Sequence, residues 1–265
     1  MNPNPFLLPK KQRAMNHYKE KIVTEASVRN KTLFSLIFLI LFLGGMAFAW
    51  NRLQHRPKDQ AALSPLRKGL DMNEWVFSHL LFSNSHLAKA YSKGMAVAKV
   101  RVNGDLGIDN KTDTAWRLHL VRKPGDTLLI SLEEIKALPK TEVIFDFKCI
   151  EGWSQVTHWG GVRFSDFVNK YRLVPQSKMN YAGLVTPDQQ YYVGIDMASM
   201  MHPQTLLCYE MNGQPLPLNQ GFPLRLIIPV KYGVKHLKRI GTISFDNDRP
   251  KDYWYEQGYD YYCGL

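Results

Sequence analysis

Between Leu33 and Trp50 the chain runs for eighteen residues without a single charge. No other stretch limits its fold as strongly. As a helix at ~1.5 Å per residue it would span roughly 27 Å, close to the ~30 Å hydrocarbon core of a bilayer. Trp50 and Arg52 follow where an interfacial ring and a snorkelling cation belong. Two readings of the segment stand. One is a retained single-pass anchor. The other is a cleaved signal peptide, with Ala47-Phe48-Ala49 as an A-x-A-like site. The 32 residues ahead of the run are long for an ordinary signal, which favours the anchor.

Charge follows the same division. Of the formal net +11, residues 1–58 contribute ten Lys and Arg against Glu20 and Glu25, an excess of eight. A basic balance raises nucleic acid as a partner, but here the excess flanks an apolar run, and a phospholipid surface accounts for it better. Seven cations precede the run and five follow within twenty residues. This favours a cytoplasmic N-terminus and an external, periplasmic or otherwise extracytoplasmic, catalytic domain by a small margin.

The spacing divides the chain into a basic tail (1–32), a transmembrane helix (33–50), a linker with a helical segment (51–95) and a globular domain (96–265). Within 51–95, Pro57, Pro65 and Gly69 mark the linker. Met72, Trp75, Val76, Leu80 and Leu81 then recur at helical spacing. From about residue 96 the pattern is mixed. Strands are predicted over 116–121, 127–130, 142–147, 191–194, 205–211, 224–229 and 240–245. Helices are predicted after Ser131, where Ser131 and Glu134 form a capping box, and over 164–171. Strands and helices do not alternate regularly, so the fold class is α+β rather than a doubly wound parallel sheet.

Two constellations stand out. The first is Cys149, which follows the β-rich run Glu142–Phe147 where its strand pattern stops. Glu151, Trp153, Ser154, His158, Trp159 and Gly161 come within the next twelve residues. They predict a Gly/Trp-rich loop holding a thiol that reaches a ligand. A thiolate suits soft or high-valent metals. A lone cysteine is more often a buried small hydrophobe, as predicted for Cys208. The second constellation runs from Gln220 through Arg225 to Gly233, Val234, Lys235, His236 and Lys238. An apolar strand is bracketed there by Arg225 and a basic turn that can face an anion. A solvated basic hairpin is the plain alternative. No Cys-x-x-Cys is present, so zinc chemistry has no support.

Together these runs resemble the sulfite-oxidase-fold molybdopterin oxidoreductases. Within that group the pattern Cys149-x-Glu151-x-Trp153-Ser154, then Trp159 and Gly161, looks most like the bacterial protein-methionine-sulfoxide reductase catalytic branch. Animal and plant sulfite oxidases carry a Cys-x-Gly-Asn-Arg loop, which this chain lacks. Gly221-x-Pro223-x-Arg225-Leu226, Tyr232-Gly233-x-Lys235 and Trp254-x-Glu256-x-Gly258-Tyr259 fit the family's other signatures.

The resemblance implies a sulfite-oxidase-type α+β fold and a mononuclear molybdenum–molybdopterin cofactor without nucleotide. It makes Cys149 the metal thiolate and Glu151 a catalytic neighbour. It assigns Asn103, Thr186, Gln220, Arg225, Gly233, Val234, Lys235 and Lys238 to the cofactor. The reaction it implies is oxygen-atom transfer, as reduction of an S-oxide or N-oxide. Sulfite oxidation and a cofactor-free, membrane-tethered binding protein are the alternatives. The chain carries no haem or flavin pattern, so a membrane cytochrome or quinone-linked subunit is expected to exchange electrons with it. Nucleic acid is not an expected partner.

Overall fold

The computed structural model describes residues 23–108 and 115–265. The basic tail expected over 1–32 falls outside the described residues up to position 22. Two compact units divide the chain at His55.

The first unit is a single helix, α1 (Glu25–Gln54), capped by the Thr24 side chain, which accepts from the Ser27 amide. It is thirty residues long, extends past the uncharged run at both ends, and has no buried residue. It is long and apolar enough to cross a membrane.

The second unit opens with a two-residue ladder, β1 (Lys58–Asp59) with β2 (Ala62–Leu63), and then α2 (Ser64–Val76). A π-helical turn, Phe77–Leu81, continues α2. The helix therefore starts inside the stretch expected to be linker. Pro65 is the reason. At the first turn of a helix its missing N–H costs nothing and its fixed φ favours the start, so the residue read as a breaker is an initiator.

Two five-stranded sheets follow. One contains β3 (Leu118–Lys123), β4 (Asp126–Ile130), β7 (Tyr181–Val185), β8 (Tyr192–Asp196) and β12 (Thr242–Asp246) in the order β4-β3-β12-β7-β8, with β12 parallel to β3. The other contains β5 (Lys140–Lys148), β6 (Ser154–Arg163), β9 (Leu206–Met211), β10 (Gln214–Pro215) and β11 (Arg225–Ile227). Its order is β10-β9-β6-β5, with β11 also on β9. Short helices α3 (Leu132–Lys136), α4 (Phe164–Lys170) and α5 (Met197–Met200) connect them, and α6 (Tyr253–Glu256) follows β12. Both hydrogen bonds of the Ser131–Glu134 capping box are made, at the start of α3.

Leu118, Leu120, Leu184 and Ile243 of the first sheet share one buried cluster with Val162, Leu207 and Leu226 of the second. Phe164, Phe167 and Val168 of α4 join it, at the i, i+3, i+4 spacing that puts them on one helix face. A smaller cluster around Phe145, Trp159, Leu206 and Ile227 lies under the second sheet.

The main departure from expectation is β6. The Trp- and Gly-rich residues after Cys149 are not an extended loop. They are a ten-residue strand paired along its length with β5, from Lys140↔Val162 to Lys148↔Ser154. The glycines serve close packing. A Cβ on Gly161 would lie 2.2 Å from the Leu207 carbonyl oxygen and 2.6 Å from the Cys208 Cα, where the register to β9 shifts between Gly160 and Gly161.

Candidate active site

Pairing of Lys148 with Ser154 reduces the Cys149 loop to five residues, 149–153. The loop closes on itself: the Trp153 carbonyl accepts from the Cys149 amide at 2.9 Å, and the Cys149 carbonyl from the Gly152 amide at 3.1 Å. Gly152 adopts φ +88°, which a side chain would resist. The thiol thus leaves a long, fully paired hairpin at a fixed point, and Cys149 is buried. Asn103 turns its amide nitrogen toward the Cys149 sulfur at 3.9 Å. The same amide bonds the Glu151 carboxylate, and Trp153 Nε1 donates to Glu151 Oε2 at 3.2 Å. These bonds hold the exposed Glu151 carboxyl below its usual range, so it is ionised at neutral pH. Trp153 stacks on Phe147 at 6.0 Å and lies under the Arg101 guanidinium at 4.8 Å.

The facing wall comes from β11 and the turn after it. Arg225 is fully buried over the Trp159 ring, 4.5 Å from its centroid. Its Nη1 donates to Gln220 Oε1 at 2.8 Å and to the Gln220 carbonyl at 3.1 Å, while its Nε has no hydrogen-bond partner. Burial pushes the guanidinium down to about 10. Among the described residues no carboxylate pairs with it. Lys238 donates to the carbonyls of Asn103 and Gly104 at 2.6 and 2.8 Å. Burial, then the nearby Arg225 charge, pushes Lys238 down to about 8. His236 is pushed down to about 3 by burial and by Arg225, so it is neutral. Its Nδ1 accepts from the Ile228 amide and its Nε2 faces the Lys231 carbonyl. Gly233 lets this turn seat on Phe147, whose ring would lie 2.9 Å from an added Cβ.

A cavity of about 960 Å³, counting its open mouth, joins the two walls. Of the residues singled out from sequence, Asn103, Cys149, Glu151, Gln220, Arg225, Gly233, Val234 and Lys238 line it. Thr186 and Lys235 do not. Thr186 is buried in a turn, where its hydroxyl bonds Asp188 and the Tyr191 backbone. Lys235 is buried in an ion pair with Asp252 and donates to the Gly194 carbonyl.

An aromatic rim of Tyr191, Trp254 and Tyr259 completes the cavity and was not singled out as site from sequence. Tyr191 is fixed by donating to the Val234 carbonyl at 2.6 Å, and Trp254 and Tyr259 meet edge-to-face at 5.0 Å. Arg101 and Trp159 were also unassigned.

Residues 105–254 match the oxidoreductase molybdopterin binding domain. That match covers more than half of the chain. This chain belongs to the molybdopterin-binding oxidoreductase family.

Relatives agree. A protein from Azospira oryzae, provisionally named protein-methionine-sulfoxide reductase subunit YedZ1, is 36% identical over 69% of this chain and 70% of its own length. The protein-methionine-sulfoxide reductase catalytic subunit MsrP of Xanthomonas axonopodis pv. citri is 36% identical over 51% of this chain and 45% of its own. The mitochondrial sulfite oxidase of Rattus norvegicus is 30% identical over 58% of this chain and 33% of its own. The chain thus spans less than half the length of the last two.

The protein is an oxidoreductase of the sulfite oxidase family, and molybdenum–molybdopterin is its cofactor. The cavity fits that group on three observations. Among the described residues no cluster of three His, Cys, Asp or Glu could hold a metal, so a metal beside Cys149 needs ligands such as a pterin's sulfurs. Arg225 is a buried cation that meets no carboxylate among the described residues and has a spare Nε, which an anionic pterin phosphate suits. Lys238 adds a second cation on the same wall.

Proposed function

We propose that this chain is a membrane-anchored molybdopterin oxidoreductase that transfers oxygen atoms by reducing an S-oxide or N-oxide. Residues 33–50 cross the bilayer and 96–265 carry the chemistry on its outer, extracytoplasmic side. Residues 51–95 join the two. The observation that carries the reading is the single cavity lined by Cys149, Arg225 and Lys238 beneath an aromatic rim.

Cys149 supplies the protein thiolate to molybdenum. Arg225, held by Gln220, and Lys238 take the cofactor's anionic groups, and the Gly233–Val234 backbone packs against it. When bound, the cofactor supplies the two-electron redox chemistry. Glu151 acts through Asn103: its ionised carboxylate keeps the amide N–H aimed at the Cys149 sulfur. Thr186 and Lys235 serve indirectly, through the turn that delivers Tyr191 and through the ion pair beneath the basic turn.

Reducing a sulfoxide takes two electrons and two protons and yields a thioether and water. Such a substrate is neutral and suits Trp153, Trp254 and Tyr259, whereas sulfite is a dianion that needs free cations. With Arg225 and Lys238 given to the cofactor, Arg101 over Trp153 is the remaining lining cation, one positive charge against the two negative charges of sulfite. The names of the Azospira and Xanthomonas relatives point the same way. Electrons arrive from a membrane cytochrome or quinone-linked subunit.

Steady-state assays test this with the full chain, cofactor loaded. Methionine sulfoxide, dimethyl sulfoxide and trimethylamine N-oxide are offered with a reduced dye, and sulfite with an oxidised acceptor. Turnover of at least one oxide is expected. Turnover of sulfite alone overturns the reading.

A further inference from the structure

α2 is amphipathic the wrong way round. A surface helix normally turns its apolar stripe to the core and its charges to water. Here Arg67 is 2% and Glu74 9% exposed, while Leu66, Met72, Trp75, Leu80 and Leu81 of α2 and its π-helical extension are 53–68% exposed. The inward charges are bonded. Arg67 lies 3.7 Å over the Tyr255 ring and donates to the Tyr255 and Tyr259 carbonyls at 2.9 and 2.8 Å. Glu74 and Asp71, the two carboxylates of α2, both pair with Arg249. The orientation is therefore fixed by specific contacts, and it leaves these five large apolar side chains outward beside the exposed polar Lys68, Asn73 and His79.

We infer that the outward face of α2 and its π-helical extension lies in the interfacial layer of a phospholipid bilayer. Three features select lipid as the occupant. First, nine residues separate the end of α1 from α2, at most about 32 Å of chain. The β1–β2 ladder folds that link back on itself, shortening it further. Second, Arg56, Lys58 and Lys68 are exposed on α2 and the segment before it, outnumbering the exposed Asp59 there, and Arg249 offsets part of the charge of the two α2 carboxylates, which suits anionic headgroups. Third, the face combines a tryptophan with flexible aliphatic side chains, the composition of interfacial helices.

The consequence reaches the site. Arg67 binds the backbone of Tyr255 and Tyr259, and Trp254 and Tyr259 rim the cavity. Seating α2 on lipid therefore holds the cavity mouth at a set height above the membrane, within reach of a membrane electron carrier.

This inference rests on α1 being a retained anchor, so the test separates the two. A photo-crosslinking benzophenone amino acid replaces Met72, Leu80 or, in α1, Leu39 of the full chain. Each protein is reconstituted into nanodiscs of equal parts phosphatidylcholine and phosphatidylglycerol, irradiated and read by mass spectrometry. Lipid adducts are expected at all three positions, with loss of the adduct at position 80 when Met72→Asp and Trp75→Asp are added. All these side chains are exposed, so folding is retained. Adducts at position 39 without adducts at 72 and 80 overturn the docking and leave the anchor standing. No adduct at position 39 overturns the anchor. Irradiation in host membranes that joins position 72 to a polypeptide instead of lipid assigns the face to a protein partner and also overturns the inference.

Discussion

The run from Arg225 to Lys238 holds three buried cations and one half-buried one, Lys238, in two different ways. Lys231 and Lys235 each face a carboxylate. Lys231 Nζ sits 2.6 Å from Asp196 Oδ2 and over the Tyr262 ring, and Lys235 pairs with Asp252. Burial alone would raise the Asp196 carboxyl, but the Lys231 ammonium outweighs it and holds the group below its usual range. Arg225 and Lys238 lack such partners among the described residues and are met only by carbonyl and amide oxygens. The paired cations are satisfied inside the protein and hold the basic turn. The unpaired ones line the cavity, and an anionic ligand completes them.

The comparison fails first if the cavity is not where the reaction occurs. Cys149→Ser is expected to abolish turnover and molybdenum content, while the cofactor-free forms of parent and variant differ in stability by no more than about 1 kcal/mol, read by assay, metal analysis and denaturant melts. Retained turnover would remove Cys149 from the site.

Next in size is the paired side. Asp252→Ala strands Lys235 and removes the bond to the Gly194 amide. It is expected to cost about 3–5 kcal/mol in urea unfolding. A change under about 1 kcal/mol would show that the ion pair does not brace the turn.

The unpaired side should respond in the opposite sense. Arg225→Met is expected to leave the cofactor-free protein within about 1 kcal/mol of the parent or more stable, since a buried charge without a partner is lost. Molybdenum per chain and pterin fluorescence are expected to fall to background. A large loss of stability with the cofactor retained would reverse the assignment.

The last test reads the acid limb. His236 stays neutral in the folded protein down to about 3, whereas the unfolded chain protonates it near 6.5. Between those values the unfolded state binds more protons. Stability therefore rises with pH through this window and is lost on acidification. His236→Gln is expected to flatten urea midpoints between pH 3 and 6.5.

Much of this was legible in the sequence. The alternation through Val143 and Phe145, ending before Cys149, marked β5 and the thiol at its tip. Arg225 and Lys235 were not separable, because both are cations beside glycine-bearing apolar strands. Only the fold brings Asp252 to one of them and none of the described carboxylates to the other. β6 was missed because Gly160, Gly161 and two tryptophans look like a loop, while the close approach that demands those glycines comes from β9, about forty-five residues on. The spacing of Met72, Trp75 and Leu80 declared a helix but not which way it faced. That depended on Arg67 and Glu74 finding partners near the other end of the chain.

The unpaired Arg225 also bears on how long each molecule survives in a cell. A ligand that binds only the folded form raises stability in proportion to the logarithm of one plus its concentration divided by its dissociation constant. A site completed by an anion leaves the unloaded chain as the weaker species, open more often and more exposed to proteolysis. If Arg225 receives the cofactor as proposed, loaded chains are expected to outlast unloaded ones in a proteolysis time course.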